Sequence, residues 1–264
     1  MSYFNTVPLV WGMLHGKQRD IFDLRFEVPS VCADQLRSGE ADIGIVPVVE
    51  MRRQNLELFR GTGIACRGPV RSILLISKVP FEEIKTLAAD SGSRSSVMLS
   101  RVILSKRYGA APAILTRKPV LANMLSEADA ALIIGDPALL LNPDTLPFPT
   151  LDLGAEWVNM TGLPMVFAVW AGKKELITPP LEQAFRDSCR FGLEHVEEIV
   201  AAEHAVRGIT PELARRYVQK HIAFELDDRD YLGMELYLRY AMDLDAADRA
   251  AAIELENKAT EATV

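Results

Sequence analysis

ADIGIVPVVE, residues 41–50, decides the architecture. Seven residues in a row, Ile43–Val49, carry no charge, and the run lacks the apolar–polar alternation of a half-exposed strand. It reads as a strand of a parallel sheet covered on both faces by other elements. Upstream, Ser30 caps a short helix through Leu36 that Gly39 closes, and LRFEVP (24–29) alternates as a further strand would. Before that, VPLVWGMLHG (7–16) reads as a helix, with Pro8 tolerated in its first turn and Gly16 at its end. Downstream, GIACRGPVRSILLISK (63–78) reads as the next strand with Gly68-Pro69 as a bend inside it. KTLAAD (85–90), AILTR (113–117), ADAALIIGD (128–136) and PMVFAVWAGKK (164–174) follow as strands. A helix is expected from about Val97 to Tyr108 and another from Pro137. Leu181, Phe185, Cys189, Val196, Ile199 and Val200 recur at the spacing of one long amphipathic helix. Thr210-Pro211 caps another, and a last helix runs from about Asp230 to Met242. Strands alternating with helices predict an α/β fold.

At 264 residues the chain could be one large domain or two small ones, and no flexible linker divides it. This predicts an insertion: residues 1–77 with 171–264 as one lobe and 78–170 as the other, joined by crossover strands near 77–82 and 166–171. A ligand would lie in the cleft between the lobes. The net charge of −7 opposes broad attraction to nucleic acid or an anionic membrane, but leaves room for a small anionic ligand held by a few local donors. Cys32, Cys66 and Cys189 are odd in number and have no CxxC spacing, which suits reduced, buried thiols. No signal-like segment opens the chain, and no apolar run approaches about 18–20 residues. A cytoplasmic protein is expected.

Four stretches carry candidate chemistry. SGSRSS (91–96) lies between a strand and a helix, where free backbone N–H groups and serine hydroxyls favour an anion, with Arg94 adding charge. Serine is also simply a good helix cap, but four serines around a glycine and an arginine favour the anion site. RGPVRS (67–72) bends at Gly68-Pro69, and Ser72 just beyond could face a cleft. On the residues alone, an ordinary strand bulge is the better reading there. Val46–Val48 end a strand where ligands of open α/β sheets collect, although core packing is the commoner fate of apolar residues. In IIGDPALL (133–140), Asp136 before proline looks like a helix cap rather than an acid or base. His15, His195, His204 and His221 lack metal-ligand spacing and read as structural or surface residues. No nucleotide-binding, zinc-protease or serine-hydrolase motif is present, so neither metal nor cofactor is expected. At the N-terminus, the uncharged pair Asn5-Thr6 sits inside the apolar stretch MSYFNTVPLV (1–10), an odd place for polar side chains.

Taken together, SYFNTVPL, PSVCADQLRSGEADIGIVPVVE, GPVRSILLISK, SGSRSSVMLSRVIL, ALIIGDPALL and LGAEWVNMTGLPMVFAVW occur in an order and spacing that resembles the chorismate dehydratases of the futalosine route to menaquinone. The likeness continues through HIAFELDDRDYLGMELYLRYA (221–241) and so covers about the whole chain. The resemblance implies the two-lobed periplasmic-binding-protein type II fold. It also implies a reaction in which chorismate loses water to give 3-[(1-carboxyvinyl)oxy]benzoate. It places the family's asparagine on Asn5 and its catalytic serine on Ser72, with Ser95 and Ser96 at a substrate carboxylate. Tyr3, Thr6, Pro47 and Val48 are further expected substrate contacts, as are Arg71, Ser91, Arg94 and Gly135. None of the four stretches offers a base poised to take a proton, so the substrate's own enolpyruvyl carboxylate is expected to take it. The protein then supplies neutral donors. Family members carry a short strand before the Ser-Tyr pair. Met1 stands in its place here: either the start is misassigned, or that strand is lacking and neighbouring strands are left without a partner.

Two other readings stay open. The sister enzyme of that route, the dihydroxynaphthoate synthase, carries a histidine where this chain has Gly135-Asp136, and a threonine-rich helix start in place of SRSS. A cytosolic small-carboxylate-binding protein would share the fold, because fold does not fix function.

Overall fold

The computed structural model of the chain describes residues 3–90, 92 and 94–261, the last eleven of these by backbone only. Nine strands are described: β1 (Ile43–Pro47), β2 (Glu57–Cys66), β3 (Ile73–Ser77), β4 (Thr86–Asp90), β5 (Ala113–Arg117), β6 (Ala130–Ile134), β7 (Thr150–Asp152), β8 (Met165–Gly172) and β9 (Ala223–Glu225). They form two sheets, one in each of two lobes. The first has the order β1-β8-β2-β9 and is antiparallel throughout; the second has the order β5-β4-β6-β3-β7. In the second sheet β4 runs parallel to β5 and β6, while β3 is antiparallel to β6 and β7.

Sheet membership moves the expected crossings. β3 lies in the second sheet and β8 in the first, so the chain changes sheets between β2 and β3, within 67–72, and between β7 and β8, within 153–164. GIACRGPVRSILLISK is therefore two strands in two sheets. The bend at Gly68-Pro69 is the crossing itself, because proline cannot supply the N–H that a continuous central strand needs.

The unbroken apolar composition of β3 and β6 follows from burial on two sides. Ile73 and Leu75 join the large core shared with the first lobe, while Leu74 and Ile76 join a smaller core on the other face with Met124 and Leu125. Ala130, Leu132 and Ile134 of β6 face the first core, and Ala131 and Ile133 the second. This is the period of two expected for a strand.

Several elements differ from their sequence reading. The helix Pro29–Ser38 starts on proline, with Ser30 inside its first turn, and Gly39 ends it in the left-handed region at φ 79°. Residues 24–28 do not join a sheet. Residues 24–26 lie across from β1, which pairs only with β8. Between them lies a groove with about 1120 Å³ of empty space, lined among others by Val10, Phe22, Phe26, Ile43 and Trp170. Phe26 is 46 % exposed there, so the alternating pattern is present but its partner is not. The expected single helix after Leu181 is two, Pro179–Glu194 and Val196–Glu203, broken at His195. Thr210 caps the helix Pro211–Arg216 as expected, its hydroxyl accepting the Leu213 N–H at 3.2 Å. The final helix is far longer than its apolar spacing indicates, Asp228–Glu261. Among the described residues no helix is long and apolar enough to cross a membrane.

Candidate active site

A cavity with about 440 Å³ of empty space opens where the two sheets meet. Tyr3, Asn5, Pro29, Pro47, Ile64, Val70, Ser72, Ile73, Ser96, Ile134, Gly135, Phe167 and Ala168 line it.

Ser72 reaches the cavity because the crossing before β3 is held in an unusual shape. Arg71 adopts a left-handed backbone at φ 66°, which costs of order 1 kcal/mol or more for a residue with a Cβ. Asp152 holds that turn: its two oxygens accept the N–H groups of Val70 at 2.9 Å and Arg71 at 2.6 Å. One of them also caps the helix Leu153–Thr161 through the Ala155 N–H at 3.0 Å. On the far side, the Gly135 N–H donates to the Ser72 carbonyl at 2.8 Å. Ser72 is 1 % exposed, and its Oγ accepts the Tyr217 hydroxyl at 2.8 Å.

Asn5 lies in a single 3-10 turn, Phe4–Thr6, that leads into the helix Val7–His15. Phe4 and Leu9 are fully buried, so the turn cannot move away from the core. Its backbone is held from the second lobe. Asp136 accepts the Phe4 N–H at 3.0 Å and pairs through its other oxygen with Arg207, which also binds Glu203 at 2.7 Å. Asp136 thus caps a segment, but not the helix it belongs to: Gly135–Leu139 has no side-chain cap. Asn5 lines the cavity, and its Oδ1 is buried with no protein partner. The polar pair inside the apolar N-terminal stretch is thereby explained. Asn5 faces the cavity, whereas Thr6 lies on the groove beside β1 and does not line the cavity.

Tyr3 closes one end. A Cβ on Gly135, whose φ is 63°, would sit 2.8 Å from the Tyr3 ring, and one on Gly92 would sit 2.5 Å from its hydroxyl. Only glycine lets the ring approach so closely. Burial, with the nearby charges of Asp90 and Asp136, raises the Tyr3 phenol well above its ordinary value, so it stays protonated.

The serine-rich segment contributes less than its composition promised. The helix Arg94–Ile103 brings Ser96 to the cavity. Ser95 is 1 % exposed but does not line it; its Oγ has no partner, and its carbonyl accepts the Tyr237 hydroxyl at 2.8 Å. Ser91 falls outside the described residues. Arg94 does not face the ligand space. It binds Asp34 at 3.1 Å and Glu50 at 2.9 Å, because a buried carboxylate across the lobe seam competes for it. Glu50 is 1 % exposed and gathers Arg37, Arg53 and the Gln54 amide as well. Burial pushes the Glu50 carboxyl up, but the Gln54 hydrogen bond and the charges of Arg94 and Arg53 outweigh it and hold the group below the usual glutamate range.

Arg71 also turns away, donating to the carbonyls of Ala138 at 2.9 Å and Leu141. These are carbonyls at the end of the helix Gly135–Leu139, a natural site for a cation. Val48 is buried in the core, while Pro47 next to it lines the cavity. Of the expected site residues, the fold brings together Tyr3, Asn5, Pro47, Ser72, Ser96 and Gly135. It turns Thr6, Val48, Arg71, Arg94 and Ser95 elsewhere.

Sequence reasoning missed Tyr217, which lies in a stretch that reads only as helix. The four histidines serve structure: His195, His204 and His221 engage backbone carbonyls through Nδ1, and His15 packs against Trp11. Among the described lining residues Tyr3 is the lone ionisable side chain; the rest are apolar, amide or hydroxyl. Such a cavity can donate hydrogen bonds to an anion, but it supplies no carboxylate or imidazole to take a proton. No group of three or more His, Cys, Asp or Glu that could hold a metal occurs among the described residues.

A chorismate dehydratase of Thermus thermophilus is 30% identical over 253 residues, covering 89% of this chain and 91% of the relative. Among solved structures, a protein of Archaeoglobus fulgidus superposes with a TM-score of 0.68 at 16% identity, covering 94% of this chain and 95% of that one. The periplasmic aliphatic sulphonate binding protein SsuA of Escherichia coli superposes at 0.62 with 12% identity, covering 94% and 85%. At such identities these two show the fold alone, the two-lobed arrangement of periplasmic binding proteins. The family model described as menaquinone biosynthesis matches residues 1–243, and the chain belongs to that family.

Proposed function

We propose that this protein is a chorismate dehydratase, a hydro-lyase that converts chorismate to 3-[(1-carboxyvinyl)oxy]benzoate and water. The C–H bond at the ring carbon bearing the enolpyruvyl ether breaks, and its proton passes to the substrate's own enolpyruvyl carboxylate. The electron pair left behind forms a ring double bond, the neighbouring C–O bond breaks, and hydroxide leaves with that proton as water. The ring becomes aromatic, which makes the step favourable.

One observation carries this reading: the cavity joins an amide and a hydroxyl, Asn5 and Ser72, and no described lining side chain is a base. A protein that need not take the proton itself has to fold the substrate onto itself and stabilise developing negative charge. Preorganised neutral donors do this without adding a competing charge. Ser96, at the start of a helix, supports a role at a substrate carboxylate. The sister enzyme's histidine has no counterpart, since Gly135 occupies that place and its bare backbone is filled by Tyr3. We take the lobes to exchange within 67–72 and 153–164, where the strands change sheets. We place the protein in the cytoplasm, a setting supported by its three buried, unpaired cysteines.

The test is direct. Chorismate incubated with the purified protein is expected to give a product lighter by one water, with aromatic absorbance. Recovery of unchanged chorismate, free or tightly held, would overturn the dehydratase reading, and tight retention would point to a binding protein.

A further inference from the structure

Tyr217 lies behind the cavity wall and not on it. It is 1 % exposed and begins a wide π-helical turn, Tyr217–His221, that continues the helix Pro211–Arg216. Turns of this kind recur at functional sites because they shift a side chain out of ordinary helical register. This one holds the crossing that carries Ser72 at two points: the Tyr217 hydroxyl meets Ser72 Oγ at 2.8 Å, and His221 Nδ1 meets the Pro69 carbonyl at 2.9 Å. Phe4, next to Asn5, stacks on the Tyr217 ring with centroids 5.9 Å apart. The phenol is thus fixed against both segments that bear the reacting polar groups.

The direction of the hydrogen bonds follows from counting hydrogens. A phenol has one hydrogen to give. Asn5 Oδ1, buried and without a partner, does not take it. The phenol's own hydrogen then has Ser72 Oγ as its acceptor. Having accepted there, Ser72 must direct its own hydrogen elsewhere, and the other side of Ser72 is the cavity. Without the phenol, the serine hydrogen could turn inward and leave only a lone pair towards the ligand.

We propose that Tyr217 is a positioning residue that sets the polarity of the pair, making Ser72 a hydrogen-bond donor into the cavity and leaving Asn5 Oδ1 as an acceptor. The proposal rests on the dehydratase reading of this cavity. A developing anion needs a donor, and a serine turned the other way would repel it.

Four proteins test it: the unaltered chain, Tyr217→Phe, Ser72→Ala and the double variant. Phenylalanine keeps the ring and its stacking on Phe4, so the fold is expected to survive. Tyr217→Phe is expected to lower kcat about thirtyfold, less than the hundred- to thousandfold typical of a direct donor, with KM changed less than about threefold. In the Ser72→Ala background it should cost less than about twofold more, because the phenol acts through the serine. A kcat within about twofold of the unaltered protein, or effects of the two substitutions that multiply, would overturn the proposal. A merely structural tyrosine would lower Tm and leave kcat unchanged.

If the unaltered protein leaves chorismate untouched, it is the dehydratase reading that fails. The same four proteins then decide the tyrosine's coupling by denaturant unfolding. A hydrogen-bonded pair is expected to show coupling of about fivefold in the unfolding constant, and independent effects would overturn it.

Discussion

Two buried polar clusters lie at the seam between the lobes, and they are built from opposite materials. Around Ser72 are a hydroxyl, a phenol and an amide, all neutral. Around Glu50 are a carboxylate and three guanidinium groups, from Arg37, Arg53 and Arg94. Both clusters link distant parts of the chain, so holding the fold together does not explain the difference. The ligand does. The Glu50 cluster is closed on itself, and every charge in it has a partner, which a buried charge requires. The Ser72 cluster lines the cavity and keeps an unpartnered amide oxygen, Asn5 Oδ1. On the proposed function, charge is used where nothing else has to bind, and neutral groups where an anion has to enter and react.

The sharpest way to break this comparison is to carry charge into the neutral cluster. Asn5→Asp keeps the shape and adds a carboxylate. Turnover of chorismate is expected to fall about a thousandfold, and Tm should fall as well. The sign with pH is fixed: a buried aspartate has a folded pKa above its unfolded value, so the variant should regain stability as pH falls. An Asn5→Asp protein with normal turnover would show that neutrality is irrelevant there.

Removing donors without adding charge should cost somewhat less. Asn5→Ala and Ser72→Ala are each expected to lower kcat by about a hundred- to a thousandfold, or about 3–4 kcal/mol of transition-state stabilisation, with Tm within about 3 °C of the unaltered protein. Steady-state kinetics beside a thermal melt would separate the two quantities.

The charged cluster should respond the other way. Glu50→Gln leaves three arginines without their common partner and should cost about 2–3 kcal/mol of stability, with kcat within about fivefold. Glu50 has a lowered folded pKa. Its contribution is therefore present above the ordinary glutamate value of 4.5 and lost as pH falls through the folded value. Unfolding curves across that acid range should be flatter for Glu50→Gln than for the unaltered protein.

The smallest expected effect is at Gly135. Its φ of 63° and the 2.8 Å approach of the Tyr3 ring leave no room for a methyl group. Gly135→Ala should destabilise by about 1–2 kcal/mol and raise KM severalfold by displacing Tyr3, with kcat nearly unchanged. A variant with unaltered KM would remove Tyr3 from the site.

Much of the fold was legible because burial writes a periodic pattern. The unbroken apolar runs of β3, β6 and β8 each became a strand buried on both faces, and VPLVWGMLHG became the helix Val7–His15. Asn5 stood out as part of a polar pair in an apolar stretch, whereas at Ser72 the residues alone favoured an ordinary bulge and only the resemblance pointed to the cleft. Arg71 and Arg94 were misread for one reason. An arginine near a cleft resembles an anion site until its acceptors are known, and those acceptors, the carbonyls of Ala138 and Leu141 and the carboxylates of Asp34 and Glu50, lie far along the chain. The strand expected at 24–28 failed for a related reason: alternation marks a segment fit to pair, but a strand exists only where a partner edge meets it.

The sequence by itself determined the α/β architecture and the family, since composition and local pattern are properties of neighbours along the chain. Only the tertiary structure decided that Tyr217 meets Ser72 across 145 positions, that Asp136 caps the turn of Phe4, and which of the polar residues see the cavity. Hydrogen bonds and ion pairs act over about 3 Å in space, and separation in sequence places no bound on that distance.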